Sequence, residues 1–183
     1  MSESKKTVLL GVTGSIAAHK AVDLTSLLVK QGIDVHVILT RDAQQFITPL
    51  PFKTLSRNPV VTDLFADLSN WQPRHIELAD AARLMVIAPA TANTIAKLAS
   101  GIADNALTCI ALALNKDARI LIAPAMNSKM WIHPATQRNV DILKSRGVDF
   151  IGPEQGLLAC GYEGIGKLCP VEQIAQRVFD LLA

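Results

Sequence analysis

Short, mainly apolar runs recur along this chain, each closed by a turn residue and followed by a stretch with helical spacing. Thr7–Val12, Val35–Leu39, Leu84–Ala88, Arg119–Ala123 and Val148–Ile151 are such runs. A strand that is apolar along its whole length, rather than at alternate positions, is buried on both faces. Between the runs, Ala17, Ala21, Leu24 and Leu28 share one face of a helix that Gly14-Ser15 opens and Gly32 stops. Helical stretches follow at about Asn93–Leu114, broken near Gly101, and at Pro134–Arg146. The last helix, Val171–Ala183, turns Val171, Ile174, Ala175, Val178 and Leu182 inward. Pro49, Pro51 and Pro59 make 43–70 irregular, read as short helices and a loop. The alternation predicts an α/β fold, a doubly wound parallel sheet in a single domain spanning 1–183.

Half of the 183 residues are hydrophobic and only 19% are charged, which raises the question of a membrane. A spanning helix needs roughly 20 consecutive apolar residues. The runs here are short and end at Pro, Asn, Lys or Gly, so a doubly covered sheet, with some subunit interface, accounts for the excess. A formal net charge of +2 without a long basic run, and few aromatic residues, give neither a nucleic-acid stripe nor a base-stacking platform. No nucleic acid and no membrane are therefore expected as partners. Residues 1–6 are polar, read as frayed, and lack a signal peptide's apolar stretch, so a cytoplasmic location is expected. Cys109, Cys160 and Cys169 have no CxxC or Cys/His spacing, and neither a metal site nor a disulfide framework is expected.

Ligands of such sheets bind beyond the carboxyl ends of the strands. Four segments fall there: Thr13–Ile16, Thr40–Asp42, Pro89–Thr94 and Pro124–Asn127. Gly11 and Gly14 flank the first turn, where the helix N-terminus and Ser15 favour an anion; a plain strand-to-helix turn is the alternative. The G-x-x-G spacing meets neither the dinucleotide fingerprint nor the P-loop. Thr91, Ala92, Asn93 and Thr94 suit a helix cap, a ligand contact, or both. Asn127 offers donors and an acceptor to a carboxylate or amide, beside an apolar wall of Met126, Met130 and Trp131. His75 opens a helix and is either structural or a general base; His19, His36 and His133 have weaker claims. Gly156, Gly161, Gly164 and Gly166 surround Cys160 and indicate a mobile loop, a lid or an ordinary connection, with Lys167 placed to pair with a phosphate.

Together these segments resemble the flavin-containing cysteine decarboxylases, and specifically the phosphopantothenoylcysteine decarboxylases. The resemblance runs through the whole chain in order. It rests on Gly14-Ser15-Ile16-Ala17-Ala18, Arg74-His75, Ala88-Pro89-Ala90-Thr91-Ala92-Asn93-Thr94 and Ser100-Gly101-Ile102-Ala103-Asp104-Asn105-Ala106-Leu107-Thr108. It continues through Pro124-Ala125-Met126-Asn127-Ser128-Lys129-Met130-Trp131 and Ala159-Cys160-Gly161, Gly164, Gly166. The Pro-x-Met-Asn-x-x-Met-Trp string is the most specific of these.

The resemblance implies a Rossmann-like flavoprotein that forms homotrimers or assemblies of trimers, with FMN at a subunit interface. It implies flavin contacts at Gly14, Ser15 and Ile16, at Thr40, Arg41 and Asp42, at Thr91, Ala92, Asn93 and Thr94, and at Ala125. It makes His75 and Cys160 catalytic, and places Asn127, Met130, Ala159, Gly161 and Lys167 at the substrate. The implied substrate is 4'-phosphopantothenoylcysteine and the product 4'-phosphopantetheine, in coenzyme A biosynthesis. A cysteine-derived carboxylate loses CO2 poorly because the developing carbanion has no sink. Oxidation of the thiol to a thioaldehyde creates one, and the enethiol left after CO2 loss is reduced again. Asn127 would orient the carboxylate, and Cys160 would supply the final proton. One departure is plain: the family usually continues Arg-Met and an acidic residue after the position of Gly166, where this chain has Lys167-Leu168-Cys169-Pro170-Val171-Glu172.

The family's bifunctional members carry a ligase domain, expected here on a separate chain or removed. Alternative readings are a peptidyl-cysteine decarboxylase, against which Cys160 and its glycines speak, and a regulatory flavoprotein, whose acidic extensions are missing. A flavin prenyltransferase and a nicotinamide-binding domain lie further off.

Overall fold

The structure is a computed structural model and describes residues 6–64, 74–159 and 161–183. Its centre is a five-stranded parallel sheet in the order β2-β1-β3-β4-β5, built from β1 (Thr7–Val12), β2 (Asp34–Leu39), β3 (Leu84–Ala90), β4 (Arg119–Pro124) and β5 (Asp149–Phe150). The chain steps outward from β1 to β2, then crosses back to β3 on the other side of β1. That reversal opens the crevice between β1 and β3 where doubly wound sheets take ligands.

Side-chain alternation along each strand divides the core into two layers. Val8, Leu10 and Val12 join Leu84, Val86 and Leu121 under α1 (Lys20–Lys30), α2 (Pro49–Ser56) and α8 (Val171–Leu182). Leu9, Met85, Ile87 and Ile122 face the opposite layer of α3 (Arg74–Ala81), α4 (Ala92–Ser100), α5 (Ala106–Ala113) and α7 (Pro134–Ser145). The apolar strands are thus covered on both sides, as their continuous hydropathy predicts.

The structure corrects several local readings. The first helix begins as a 3-10 turn at Ile16–His19 before α1. Gly11 belongs to β1, not to the turn: a Cβ there would stand 2.6 Å from Leu107 Cδ1, so it makes room for α5. Pro89 and Pro124 lie within β3 and β4 rather than after them. The stretch 93–114 is two helices, α4 ended by Gly101 at φ 70° and α5 opened by an Asn105–Thr108 capping box. Lys6, counted among the frayed residues, donates through Nζ to the Leu182 carbonyl; residues 1–5 lie outside the described part.

The largest correction concerns the glycine-rich stretch. It is an antiparallel ribbon, β6 (Glu154–Leu157) against β7 (Glu163–Lys167). Gly156, Gly164 and Gly166 serve close approach. A Cβ on Gly166, at φ 152°, would lie 2.1 Å from the Met126 carbonyl oxygen, and one on Gly164 would lie 2.9 Å from Ser128 Cβ. The Met126 N–H donates to the Gly166 carbonyl at 3.0 Å. Composition alone cannot separate a glycine kept for mobility from one kept for contact.

Gly166→Ala is expected to push the ribbon off the 126–128 segment. Overpacking of this kind costs about 1–3 kcal/mol, a fall in Tm of roughly 2–12 °C for a domain of this size. Gly161→Ala, where no atom lies within 4 Å, is the comparison for backbone strain alone. Thermal unfolding of both variants measures this, and an unchanged Tm for Gly166→Ala would show that the ribbon does not rest there.

Candidate active site

The four strand-end segments meet at one edge of the sheet. Thr13, placed in the first of these segments but given no role of its own from the sequence, ties them together. Its buried hydroxyl donates to the Pro89 carbonyl at 2.7 Å and accepts from the Thr91 N–H at 3.0 Å. A threonine at a strand end has no sequence signal that sets it apart from an ordinary cap. Thr40 closes the second turn: its N–H reaches the Val12 carbonyl at 3.1 Å, and its Oγ1 accepts from Ala43 N–H at 3.2 Å. Gly14 lets the first two turns touch, since a Cβ there would stand 2.6 Å from Asp42 Cβ.

Two cavities of about 460 Å³ each open at this edge, and both are bounded by Gly14, Thr91 and Met130. The size suits a small ligand or cofactor. The second is polar and charged: Thr40, Arg41, Asp42, Asn93, Thr94, Lys97 and Asp104 line it. Arg41 lies 3.5 Å from Asp42, and Lys97 Nζ donates to both Asp104 oxygens at 2.9 and 2.7 Å. That hydrogen bond holds the Asp104 carboxyl below the usual carboxylate range. Ala92 starts α4 but lines neither cavity.

At the first turn the Ser15 N–H is held by the Thr13 carbonyl at 2.8 Å, and Ser15 Oγ accepts from Ala17 N–H at 3.3 Å. An anion would therefore meet the Ser15 hydroxyl and the N–H groups of Gly14 and Ile16. Thr91 likewise combines two roles, capping α4 through Thr94 N–H at 3.4 Å while bounding both cavities.

The first cavity is more apolar. Ile16, Ala125, Met126, Met130, Leu157 and Leu158 line it, with Asn127 and Ala159. Asn127 caps the short helix α6 (Ser128–Trp131): its Oδ1 accepts from Lys129 N–H at 2.9 Å. An N–H must meet the carbonyl end of the amide, so Nδ2 is its donor end, the polarity a carboxylate requires. Lys167 lies on the ribbon beside Gly166, and Gly161 at its tip, where Gly161 N–H donates to the Leu158 carbonyl at 2.9 Å.

Of the two predicted catalytic residues, one is not described and the other lies apart. Cys160 lies outside the described residues, although its neighbour Ala159 lines the first cavity. His75, in the first turn of α3, borders a separate cavity of about 120 Å³ with Arg74, Pro59, Thr62 and Leu64. A further small cavity, bounded by Thr40, Asp104 and Leu64, lies between it and the polar cleft. One chain alone does not bring His75 to Asn127. Its Nδ1 is buried without a hydrogen-bond partner among the described residues.

The Streptococcus mutans protein named probable phosphopantothenoylcysteine decarboxylase is 45% identical over 97% of this chain and 99% of its own length. The coenzyme A biosynthesis bifunctional protein CoaBC of Bacillus subtilis is 49% identical over 94% of this chain, which spans only 42% of that relative. Among solved structures, a cysteine-to-serine mutant of PPC decarboxylase complexed with pantothenoylaminoethenethiol superposes with a TM-score of 0.88 at 33% identity, covering 98% of this chain and 99% of that one. The FMN-dependent cysteine decarboxylase SpaF gives a TM-score of 0.83 at 31% identity, over 97% and 98% of the two chains. The flavoprotein family pattern matches residues 1–183, and the chain belongs to the flavoprotein family.

Proposed function

We propose that this chain is an FMN-dependent decarboxylase that converts 4'-phosphopantothenoylcysteine to 4'-phosphopantetheine in coenzyme A biosynthesis, acting in the cytoplasm as a homotrimer or an assembly of trimers. The observation that carries the reading is the junction of two cavities at Gly14, Thr91 and Met130, with the donor end of a fixed Asn127 amide in the more apolar one. The donor set fits a flavin mononucleotide. Gly14 brings the first two turns together where both cavities open, the Ser15 hydroxyl and the helix N-terminus suit a phosphate, and Thr40, Asn93 and Thr94 offer hydrogen bonds along the polar cleft.

FMN, when bound, supplies the redox chemistry that turns the substrate thiol into an electron sink. The protein's own groups do the rest. Asn127 holds the carboxylate through Nδ2, and the apolar wall of Met126, Met130 and Leu158 keeps water from it. Cys160 donates the proton that completes the product after CO2 has left, and His75 acts on protons near the flavin. The aminoethenethiol held by the cysteine-to-serine mutant of the solved relative supports the order of steps. The test is direct: FMN-loaded protein mixed with 4'-phosphopantothenoylcysteine should release CO2 and 4'-phosphopantetheine. Protein that binds FMN and releases no CO2 overturns the reading.

The trimer supplies what one chain lacks. His75 reaches Asn127 from a neighbouring subunit, and exposed apolar side chains such as Ile102, Leu112 and Ile132 are available to cover. Co-expressed His75→Asn and Asn127→Asp chains, each inactive alone, should therefore recover about one quarter of the sites, since a shared site needs one intact residue from each partner. Mixed oligomers without any activity would put both residues in one chain.

A further inference from the structure

We propose that His19, Lys20 and Lys167 form a phosphate-monoester subsite at the rim of the first cavity, which selects the phosphorylated form of the substrate. The proposal rests on the decarboxylase reading above and extends it to a group that Asn127 cannot recognise.

Charge balance distinguishes the two cavities. In the polar cleft the cations are matched, Lys97 by Asp104 and Arg41 by Asp42. The first cavity is lined by Lys20, Lys167 and His19 and by no carboxylate among the described residues. No ion pair or hydrogen bond joins either lysine side chain to a described residue. A pair of unneutralised ammonium groups at the rim of one cavity attracts an anion, and a dianion most strongly.

Local structure places each group. The 3-10 turn carries directly into α1, so His19 and Lys20 stand at the junction, one turn beyond Ser15. His19 Nδ1 lies 2.8 Å from the Ile16 carbonyl. A carbonyl oxygen only accepts, so Nδ1 carries the hydrogen, and Nε2 is left to donate to an anion in the imidazolium form. Lys167 comes from the opposite wall. Its side chain lies over Gly156 of the facing strand, where a Cβ would stand 3.2 Å from Lys167 Cδ and 3.7 Å from Nζ. Gly156 is thus the space the lysine uses. The ribbon and the α1 junction bring two lysines to one cavity that also holds Asn127, so a single ligand can present a carboxylate to the amide and a phosphate to the rim.

The phosphate could belong to the substrate or to FMN, and we assign it to the substrate. Gly14 of the cofactor turn borders both cavities, whereas Lys20 and Lys167 line the first alone, Lys167 on the ribbon beside Gly166. The experiment measures binding of 4'-phosphopantetheine and of pantetheine to FMN-loaded protein by titration calorimetry, and FMN affinity by fluorescence quenching. Wild-type protein should bind the phosphorylated compound at least about tenfold more tightly. Lys20→Met with Lys167→Met should bring the two compounds to near-equal affinity, leaving pantetheine binding and FMN affinity unchanged. Lys167→Arg should keep most of the preference, and Lys30→Met, at the far end of α1, should keep all of it.

Equal affinities in wild-type protein, or no binding of either compound, overturn the subsite. A preference that survives the double substitution does the same. Weakened FMN binding with the preference intact would assign the lysines to the cofactor phosphate instead. Loss of affinity for both compounds alike would make the lysines structural. A protein that shows the preference yet releases no CO2 would remove the decarboxylase reading and leave the subsite standing.

Discussion

Asn127→Asp should lower kcat/KM by two to three orders of magnitude while leaving the fold intact. The two halves of the side chain have separate duties. Oδ1 accepts from Lys129 N–H and caps α6, and aspartate serves as well as asparagine at that position. Nδ2 is the donor end, and aspartate has none. The variant would lose a hydrogen bond to a charged group, about 1.5–3 kcal/mol. It would also set a carboxylate against the substrate carboxylate, which adds a repulsion of up to about 4 kcal/mol near a protein surface. Both effects act at the reacting group. The measurement is steady-state decarboxylation alongside thermal unfolding: low activity at an unchanged Tm is the expected pair. Unchanged kcat/KM would remove Asn127 from the carboxylate, and a large fall in Tm would mean that the activity loss reports unfolding.

Cys160→Ser should separate CO2 release from completion of the product. The step assigned to Cys160 comes after decarboxylation, so one equivalent of CO2 should still appear. A serine hydroxyl is a far weaker acid than a thiol, whose unperturbed pKa is about 8.5, and it donates its proton poorly. In a single turnover without oxygen, flavin absorbance should stay bleached and an enethiol, two hydrogens short of 4'-phosphopantetheine, should accumulate. Saturated product at the wild-type rate would assign the proton elsewhere. Cys169→Ser is an informative control. Cys169 is buried beside Gln173, with Sγ 3.3 Å from Gln173 Oε1, and burial pushes its thiol up to about 11 with Glu154 adding to the rise. It stays protonated and away from the cavities, so its replacement should leave turnover in place.

Much of the site could be read from the chain because its elements are local. Thr91 and Asn127 each cap the helix that follows them, and a cap is a relation between residues two or three apart. Gly14-Ser15 opens a helix for the same reason. What could not be read depends on contacts between distant segments. Thr13 matters through Pro89 and Thr91, 76 and 78 residues away. Lys20 and Lys167, 147 residues apart in the chain, become a pair only because the fold brings both to one cavity. His75 is identified by resemblance as a site residue, yet its cavity lies apart from Asn127 within one chain.

The sequence by itself determined the alternation of buried strands and covering helices, the turns at the strand ends and the membership that its motifs announce. These follow from hydropathy, capping and spacing, all of which act over a few residues. Only the tertiary structure decided what the glycines of 156–166 are for. Gly164 and Gly166 lie against Ser128 and Met126, and Gly156 lies under Lys167. The physical reason is that a missing Cβ serves freedom of the backbone and closeness of a neighbour equally, and the neighbour is chosen by the fold.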